Sequence, residues 1–235
     1  RTALVTGAAR GLGRAIALAL ADAGADIALG LRDKSADGGL VREIEAKGRR
    51  AVPLQLDVLD LAQGYAAIDA AIAQFGRLDI LVNNAGGGVE ERPVEAYTEA
   101  DFDFVLDLNV KSTFFLTQHA GKHMMARGSG AIVNMGSQAG AIALPGEAVY
   151  CLGKAAVSHM TKCFAVEWGN RGVRVNCVAP TFIETDGTAG MLARPGFKAD
   201  VIERIAALHR IGVPREVADA VVFLASDAAS LITGQ

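Results

Sequence analysis

Six short apolar segments alternate with helix-like stretches along the chain, and this alternation limits the folds that it can adopt. The segments are residues 3–6, 26–31, 51–56, 80–83, 131–135 and 173–178. Strands that alternate with helices are joined by right-handed crossovers, which place the strands parallel to one another. We therefore predict an α/β fold, a doubly wound parallel β-sheet flanked by helices, in which ligands bind beyond the carboxyl ends of the strands.

No stretch of the sequence has the composition of a linker. The chain has 235 residues, of which 51% are hydrophobic, and this is enough for one sizeable core. Length alone would also allow two domains. Because the alternation of segments continues without interruption, we predict a single domain over residues 1–235.

The first apolar segment leads directly into a glycine-rich turn and then into a helical stretch. The turn contains Gly7, Gly11 and Gly13 in the pattern TGxxxGxG. Glycines let a backbone approach a phosphate closely, and the free N–H groups of a helix N-terminus attract a pyrophosphate. The pattern therefore predicts a nucleotide site, although a glycine turn that only packs helix against strand looks the same in sequence.

Tyr150 and Lys154 are four residues apart, and Ser137 precedes the tyrosine by thirteen residues. Residues at this spacing share one face of an α-helix. A lysine charge within ~4 to 6 Å of a phenol stabilises the phenolate and lowers the pKa of the tyrosine, which suits it to acid or base catalysis. A solvated helix face is the other explanation of the same spacing.

Charge, hydropathy and spacing disfavour several other classes of partner. The net charge of −3 and the absence of a basic run argue against nucleic acid. No apolar run reaches ~18 residues, which argues against a membrane span. His119 and His123 have neither an HExxH pattern nor a third ligand, so we expect no metal. Three cysteines without a CxxC pair favour a reducing compartment, and we expect the protein to be cytoplasmic.

Taken together, the motifs resemble those of the classical short-chain dehydrogenase/reductase family along essentially the whole chain. Residues 6–13 resemble the cofactor loop of the family, residues 57–58 its adenine contact, and residues 83–86 the element that follows its fourth strand. The resemblance implies a Rossmann-like fold and an NAD(P)(H)-dependent oxidoreductase that interconverts a secondary alcohol and a ketone. It also implies a homotetramer.

The resemblance assigns roles to individual residues. The catalytic tetrad would be Asn109, Ser137, Tyr150 and Lys154, with Asn109 supporting a proton relay beyond the lysine. Asn109 lies in a helix that we predict to begin at the N-cap Thr98. The expected cofactor-binding residues are Thr6, Gly7, Arg10, Gly11, Leu12, Gly13, Arg32, Asp57, Val58, Asn83, Ala85, Gly86, Tyr150, Lys154, Pro180, Ile183 and Thr185.

The end of the second strand bears on the choice of nucleotide. An acidic residue at this point holds the ribose 2′-hydroxyl of NAD. Leu31 stands where NAD-preferring relatives usually place an aspartate, Arg32 follows it, and Arg10 lies in the glycine loop. Two arginines can clamp a 2′-phosphate, so we predict NADP(H). NAD is the alternative, in which Asp33 takes the acidic role.

The last part of the chain is expected to bind the substrate. Residues 180–185 resemble the PGxIxT segment of the family, with Thr181 in place of the glycine, and residues 186–198 have the glycine and proline content of a mobile substrate lid. Residues 165–168 are more similar to sugar, polyol and sugar-acid dehydrogenases, which predicts such a substrate. A 3-oxoacyl-thioester reductase is the alternative, and a non-catalytic nucleotide-sensing or scaffold protein is the alternative from another class.

Overall fold

The structure, a computed structural model, describes residues 1–235 and contains one six-stranded parallel sheet. The predicted fold class is confirmed, and the predicted strand bounds agree with the observed ones to within one residue. The strands are β1 (Thr2–Thr6), β2 (Asp26–Leu31), β3 (Ala51–Gln55), β4 (Ile80–Asn83), β5 (Gly130–Met135) and β6 (Val173–Val178). Their spatial order is β3-β2-β1-β4-β5-β6.

Helices cover both faces of this sheet and enclose one hydrophobic core on each face. The helices are α1 (Gly11–Asp22), α2 (Leu40–Glu45), α3 (Leu61–Phe75), α4 (Glu99–Leu106), α5 (Ser112–Arg127), α6 (Ala148–Trp168), α7 (Asp186–Leu192), α8 (Phe197–Arg204) and α9 (Pro214–Ala225). Along β1, Val5 faces the core under α1, α2 and α9, whereas Leu4 faces the core under α3, α5 and α6. No helix combines the length and the apolar content that crossing a bilayer demands.

The winding direction of the chain reverses at β1, which lies between β2 and β4. The loops after β1 and β4 therefore diverge at the carboxyl edge of the sheet and open a crevice between them. Thr6 joins the two loops, because its Oγ1 accepts hydrogen bonds of 2.9 Å from the backbone N–H groups of Asn84 and Ala85. The loop after β1 is the glycine loop, and the segment after β5 emerges at the same crevice.

Asn83 ends β4, but its side chain lies inside the molecule and not in the crevice. Its Nδ2 donates hydrogen bonds of 2.9 Å to Thr117 Oγ1 and Asn134 Oδ1, and Asn134 Nδ2 donates to Thr161 Oγ1 at the same distance. All four residues are buried. The Asn83 side chain therefore joins the sheet to α5 and α6, and the predicted contact of Asn83 with the cofactor would have to be made by its backbone.

The helix predicted to begin at Thr98 does begin there, and it is irregular around the predicted catalytic asparagine. Thr98 forms a capping box with Asp101 at the start of α4. This helix passes into a π-helical turn, Asp107–Lys111, before it continues as α5. Such turns occur frequently at functional sites. Asn109 lies in the turn and is 1% exposed.

The substitution Thr161→Val tests the buried amide network. It keeps the shape of the side chain and removes the oxygen that accepts the hydrogen bond from Asn134 Nδ2. A buried donor without an acceptor costs about 1–3 kcal/mol, so we expect the free energy of unfolding, measured by urea denaturation, to fall by that amount.

Ser158→Ala is the matched control on the same helix, because the Ser158 hydroxyl donates to the carbonyl of Lys154 and no N–H group donates to it. We expect this control to cost less than about 1 kcal/mol. Equal losses in the two variants would contradict the role given to the network.

Candidate active site

The end of β5 and the start of α6 carry the predicted serine, tyrosine and lysine to the crevice. Ser137 lies two residues beyond Met135, the last residue of β5, and its Oγ accepts a hydrogen bond of 3.1 Å from Ala139 N. Gly140 then packs against the backbone of α6: a Cβ on this residue would lie 2.8 Å from the Lys154 carbonyl oxygen. The missing side chain at Gly140 lets the serine turn and the helix approach each other closely.

Lys154 is a buried cation at the centre of the site, with 5% of its surface exposed. Its Nζ donates a hydrogen bond of 2.9 Å to the carbonyl oxygen of Met135 and lies 5.6 Å from the centroid of the Tyr150 ring. Burial disfavours the ammonium form and lowers the pKa of Lys154 to about 8. This lysine can therefore exchange a proton close to neutral pH.

Tyr150 lies one turn before Lys154 and borders the crevice. Burial raises the pKa of Tyr150, while the nearby Ser137 hydroxyl acts in the opposite direction. The prediction that Lys154 lowers the pKa of the tyrosine is not met in the chain by itself, because the lysine hydrogen-bonds to Met135 and burial of the phenol dominates. The environment favours the neutral phenol, which is the form that donates a proton.

The π-helical turn directs Asn109 at the loop that follows β4. Its Nδ2 donates to the carbonyl oxygens of Gly87 at 2.7 Å and Val105 at 2.8 Å, and its Oδ1 accepts from Gly87 N at 3.2 Å. Gly86 lies between Asn109 and Lys154: a Cβ there would be 2.7 Å from Asn109 Oδ1 and 3.1 Å from Lys154 Nζ. The structure thus brings the four predicted catalytic residues together around one crevice.

The glycine loop between β1 and α1 presents backbone N–H groups that no side chain caps. α1 begins at Gly11, and Arg10, which precedes it, makes no capping hydrogen bond. Gly7 and Gly11 have φ angles of 65° and 54°, and a Cβ on Gly13 would lie 2.3 Å from the Gly7 carbonyl oxygen. Uncapped N–H groups at a helix N-terminus bind phosphate groups, so this loop fits the pyrophosphate of a dinucleotide.

Two further pairs of predicted cofactor residues lie at the same edge of the sheet. After β3, Asp57 Oδ1 accepts a hydrogen bond of 3.0 Å from Leu59 N, and this turn leaves Val58 buried. After β4, Ala85 is held by its hydrogen bond to Thr6 and is followed by Gly86. Both pairs therefore occupy the positions that the sequence predicts, beyond the carboxyl ends of their strands.

The segment after β6 returns to the glycine loop. The carbonyl oxygen of Pro180 accepts a hydrogen bond of 2.9 Å from the turn that follows Ser137. Ile183 is 7% exposed and pairs with Gly212 in an isolated parallel bridge. Thr185 caps α7 and faces Gly11, where an added Cβ would lie 3.7 Å from it. These residues thus border the predicted cofactor site.

The segment predicted as a mobile lid, residues 186–198, is largely helical in the structure. It contains α7 and the first residues of α8. Leu192 and Val201 from these helices pack with Ile211 in a small hydrophobic cluster of their own. The glycine and proline content of residues 186–198 did not predict these helices, because their formation depends on the Thr185 cap and on the hydrophobic cluster.

Two exposed arginines stand where the 2′ group of a bound dinucleotide is expected. Leu31, the last residue of β2, is buried, so no acidic side chain occupies that position. Arg32 and Arg10 are both exposed. The carboxylate of Asp33 accepts hydrogen bonds from the N–H of Ser35 at 2.9 Å and from its hydroxyl at 2.6 Å. The alternative in which Asp33 holds a ribose is disfavoured, because its carboxylate is engaged in this turn.

A cavity of about 530 Å³ extends from Ser137 and Tyr150 to α7. An ion pair crosses its wall, with Arg194 Nη1 and Glu91 Oε2 2.8 Å apart. Several polar residues of the wall were not predicted from the sequence: Glu90, Glu91, Tyr97, Gln138, Glu147, Thr188 and Arg194. Only Glu147 could have been found there, since it lies three residues before the tyrosine. The others come from loops and α7, which only the fold brings together.

The histidines with helical spacing have separate partners. His119 Nε2 lies 2.8 Å from Asp69 Oδ1, and its ring stacks on Tyr65. His123 Nε2 accepts a hydrogen bond of 3.4 Å from Leu78 N. No group of three histidine, cysteine, aspartate or glutamate side chains is arranged to hold a metal ion. The structure therefore assigns the two histidines to different contacts.

The chain is similar to known proteins over its full length. A family model described as enoyl-(acyl carrier protein) reductase matches residues 7–235. D-threitol dehydrogenase of Mycolicibacterium smegmatis is 44% identical over 236 residues, 100% of this chain and 89% of that protein. The 3-oxoacyl-acyl-carrier-protein reductase of Staphylococcus aureus is 41% identical over 238 residues, 100% of this chain and 94% of that protein.

A solved structure has a similar fold and contains a nucleotide. Gluconate 5-dehydrogenase from Burkholderia cenocepacia, solved in complex with NADP and tartrate, superimposes with a TM-score of 0.94 at 35% identity. The match covers 100% of this chain and 91% of that one. The fold described above is therefore shared with a dehydrogenase that was solved with a dinucleotide bound.

The substitution Lys154→Met tests the burial of the lysine. The pKa of about 8 lies below the ordinary value of 10.5, so the unfolded chain binds more protons between these pH values and stability rises with pH there. Below pH 8 the buried ammonium therefore destabilises the fold by up to about 3 kcal/mol. We expect the methionine variant to be the more stable protein in urea denaturation at pH 7, by about 1–3 kcal/mol.

This advantage should shrink as the pH rises from about 8 toward 10.5, because the folded wild-type chain has then released the lysine proton while the unfolded chain still holds it. It should reach its minimum above 10.5, where the lysine is neutral in both states. The free energies of unfolding of the two proteins are subtracted at each pH, so that the contributions of the other titrating groups cancel. A stability difference that does not change with pH would contradict the lowered pKa of Lys154.

Proposed function

The chain belongs to the short-chain dehydrogenase/reductase family, and from this premise we propose that its tetrad interconverts a secondary alcohol and a ketone of a polyol or sugar. As a member of this family it is an NAD(P)-dependent oxidoreductase that acts on CH–OH groups. The observation that carries the proposal is that Ser137 and Tyr150 line one cavity beside the uncapped glycine loop. Lys154 and Asn109 are buried next to Gly86, which lines the same cavity.

The chain contributes binding, orientation and proton transfer to this reaction. Bound NAD(P) supplies or accepts the hydride. The Ser137 hydroxyl hydrogen-bonds the substrate oxygen and holds it next to the phenol. In the oxidation the Tyr150 phenolate accepts the hydroxyl proton of the alcohol and becomes the neutral phenol, and in the reduction the neutral phenol donates its proton to the carbonyl oxygen. The raised pKa of Tyr150 favours this neutral form.

Lys154 and Asn109 support this proton transfer from beneath the site. A protonated Lys154 stabilises the Tyr150 phenolate, which accepts the proton in the oxidation and is formed in the reduction. The pKa of about 8 lets the lysine pass a proton onward near neutral pH. Asn109, fixed by its two hydrogen bonds to Gly87, stands on the far side of Gly86 from the ammonium and extends the relay.

Two relatives support a polyol, sugar or sugar acid as the substrate. One is named for D-threitol, and the structural neighbour is named for gluconate. The many polar groups on the cavity wall also suit a hydroxylated molecule. A 3-oxoacyl-thioester reductase is the second candidate, because the relative from Staphylococcus aureus carries that name at 41% identity.

We further propose that the nucleotide is NADP(H) and that residues 186–198 cover the substrate. Arg10 and Arg32 are exposed and free of acidic partners at the position of the 2′ group, where they can bind a phosphate. Met191, Thr188 and Arg194 of the covering segment line the cavity, and the ion pair between Arg194 and Glu91 links the segment to the loop after β4.

The assembly that we propose is a homotetramer in the cytoplasm. Phe114, Phe164 and Trp168 line a groove between α5 and α6, and Val166 on α6 is 84% exposed. These apolar side chains support packing of the two helices against a second copy of the chain. The three cysteines are free thiols, which suits a reducing compartment.

Tyr150→Phe tests the catalytic assignment. Absorbance of the reduced nicotinamide is followed with NADP⁺ or NAD⁺ and a panel of polyols, sugars and sugar acids, and with a 3-oxoacyl thioester and the reduced nucleotide. We expect the wild-type protein to oxidise a polyol or sugar. Removal of the phenolic proton carrier should lower kcat by at least about a hundredfold, whereas the Kd for the nucleotide should change by less than about threefold.

Tyr65→Phe is the matched control, since Tyr65 stacks on His119 away from the cavity and its loss of a hydroxyl should leave kcat unchanged. Wild-type activity confined to the thioester would favour the reductase. Nucleotide binding without turnover of any substrate would favour the non-catalytic alternative, and near-normal turnover in Tyr150→Phe would refute the tetrad.

Arg32→Asp tests the choice of nucleotide. Loss of a charge-assisted hydrogen bond to the 2′-phosphate, with a repulsive carboxylate in its place, should raise the KM for NADP⁺ by about tenfold to a hundredfold. The KM for NAD⁺ should stay within about threefold of its original value. Lys34→Asp makes the same change of charge two residues away and should affect neither. A wild-type preference for NAD⁺ would contradict the proposal.

A further inference from the structure

Glu147 stands on the wall of the substrate cavity, immediately before α6. Its backbone is fixed, because its N–H donates to Leu144 O at 3.2 Å and its carbonyl oxygen accepts from Cys151 N at 2.9 Å. It precedes Tyr150 by three residues, which places the two side chains on the same side of the helix start. The carboxyl group is therefore held at a defined place beside the reacting centre.

The Glu147 carboxyl group has no hydrogen-bond donor and no cation as a partner within the chain. It is half-buried, and burial together with the neighbouring Glu91 carboxylate raises its pKa. Arg194 is the cation whose charge acts on the pKa of Glu147, and it is already paired with Glu91 at 2.8 Å. A partly buried carboxylate without a donor carries a desolvation cost that hydroxyl donors from a ligand would remove.

The charges around the cavity restrict the ligand that could supply these donors. Three carboxyl groups line the wall, those of Glu90, Glu91 and Glu147, against one cation, Arg194. Because Arg194 is already paired, a ligand carboxylate or phosphate would meet uncompensated negative charge. A neutral molecule with several hydroxyl groups meets no such repulsion, and two of its hydroxyls can donate to the two oxygens of one carboxylate.

We infer that Glu147 is a specificity-determining residue that accepts hydrogen bonds from the hydroxyl groups next to the reacting carbon of a neutral polyol. The inference rests on the proposed function and narrows its substrate class: neutral polyols are preferred to sugar acids and to anionic acyl thioesters. Ser137 and Tyr150 engage the reacting oxygen, and Glu147 engages its neighbours. The carboxylate thus selects the substrate without taking part in the transfer of the proton or the hydride.

The test compares kcat and KM of the wild-type protein and of Glu147→Gln with a neutral tetritol, with gluconate and with the mono-alcohol cyclohexanol. The glutamine side chain has one acceptor oxygen where the carboxylate has two, and it carries no charge. We therefore expect the KM for the tetritol to rise by about tenfold to a hundredfold. We expect kcat to change by less than about threefold, since the catalytic residues are untouched. The ratio of kcat/KM for the tetritol over that for cyclohexanol should fall by at least about tenfold.

Glu95→Gln is the control, because Glu95 is an exposed residue outside the cavity and its variant should keep the wild-type constants. Thermal unfolding and the Kd for the nucleotide, measured on Glu147→Gln, separate a folding defect from a loss of recognition. If that variant does not fold, Glu147→Met replaces it in the same comparison.

The outcomes separate the inference from the proposed function. A tetritol KM that is unchanged in Glu147→Gln, or a wild-type preference for gluconate over the tetritol, would overturn the inference and leave the polyol or sugar dehydrogenase standing. A wild-type protein that oxidises no polyol, sugar or sugar acid would overturn the proposed function, and the inference with it.

Discussion

The hydrogen bond from Lys154 Nζ to the carbonyl oxygen of Met135 joins α6 to the end of β5, and the arrangement of the site depends on it. It fixes the height of the helix relative to the sheet edge and so places Tyr150 beside Ser137. A single carbonyl partner does not offset the burial of an ammonium group, which is why the pKa of Lys154 falls to about 8. The fold thus maintains an unfavourable burial at the place where proton transfer is needed.

The two halves of the site are built from different parts of the chain. The nucleotide side is made largely of backbone, where Gly13 and Gly7 approach so closely that no side chain fits between them. The substrate side is made of side chains from loops and α7, such as Glu91 and Arg194. Backbone N–H groups bind any phosphate, whereas the side chains of the wall decide which alcohol fits. In the function that we propose, binding of the nucleotide and selection of the substrate therefore depend on different parts of the chain.

Much of the fold and of the catalytic centre could be predicted from local sequence signals. The six strands follow from short apolar segments, and the start of α4 follows from Thr98 and Asp101, because a capping box involves only neighbouring residues. Other features could not be predicted. The inward direction of Asn83 depends on Asn134, 51 residues away. The π-helical turn at Asn109 and the helices of the covering segment depend likewise on packing against distant parts of the chain.

The sequence by itself determined the order of strands and helices, the glycine loop and the identity of the four residues that meet at the crevice. The order of elements and the glycine loop rest on periodicity, on caps and on a motif whose members are close in the chain, whereas the four residues were assigned by resemblance to the family. The tertiary structure alone decided that Tyr150 is buried enough to favour its neutral form and that Glu147 lines the cavity without a partner. The physical reason is that desolvation and charge interactions depend on distances between groups that are remote in sequence, and only the folded chain fixes those distances.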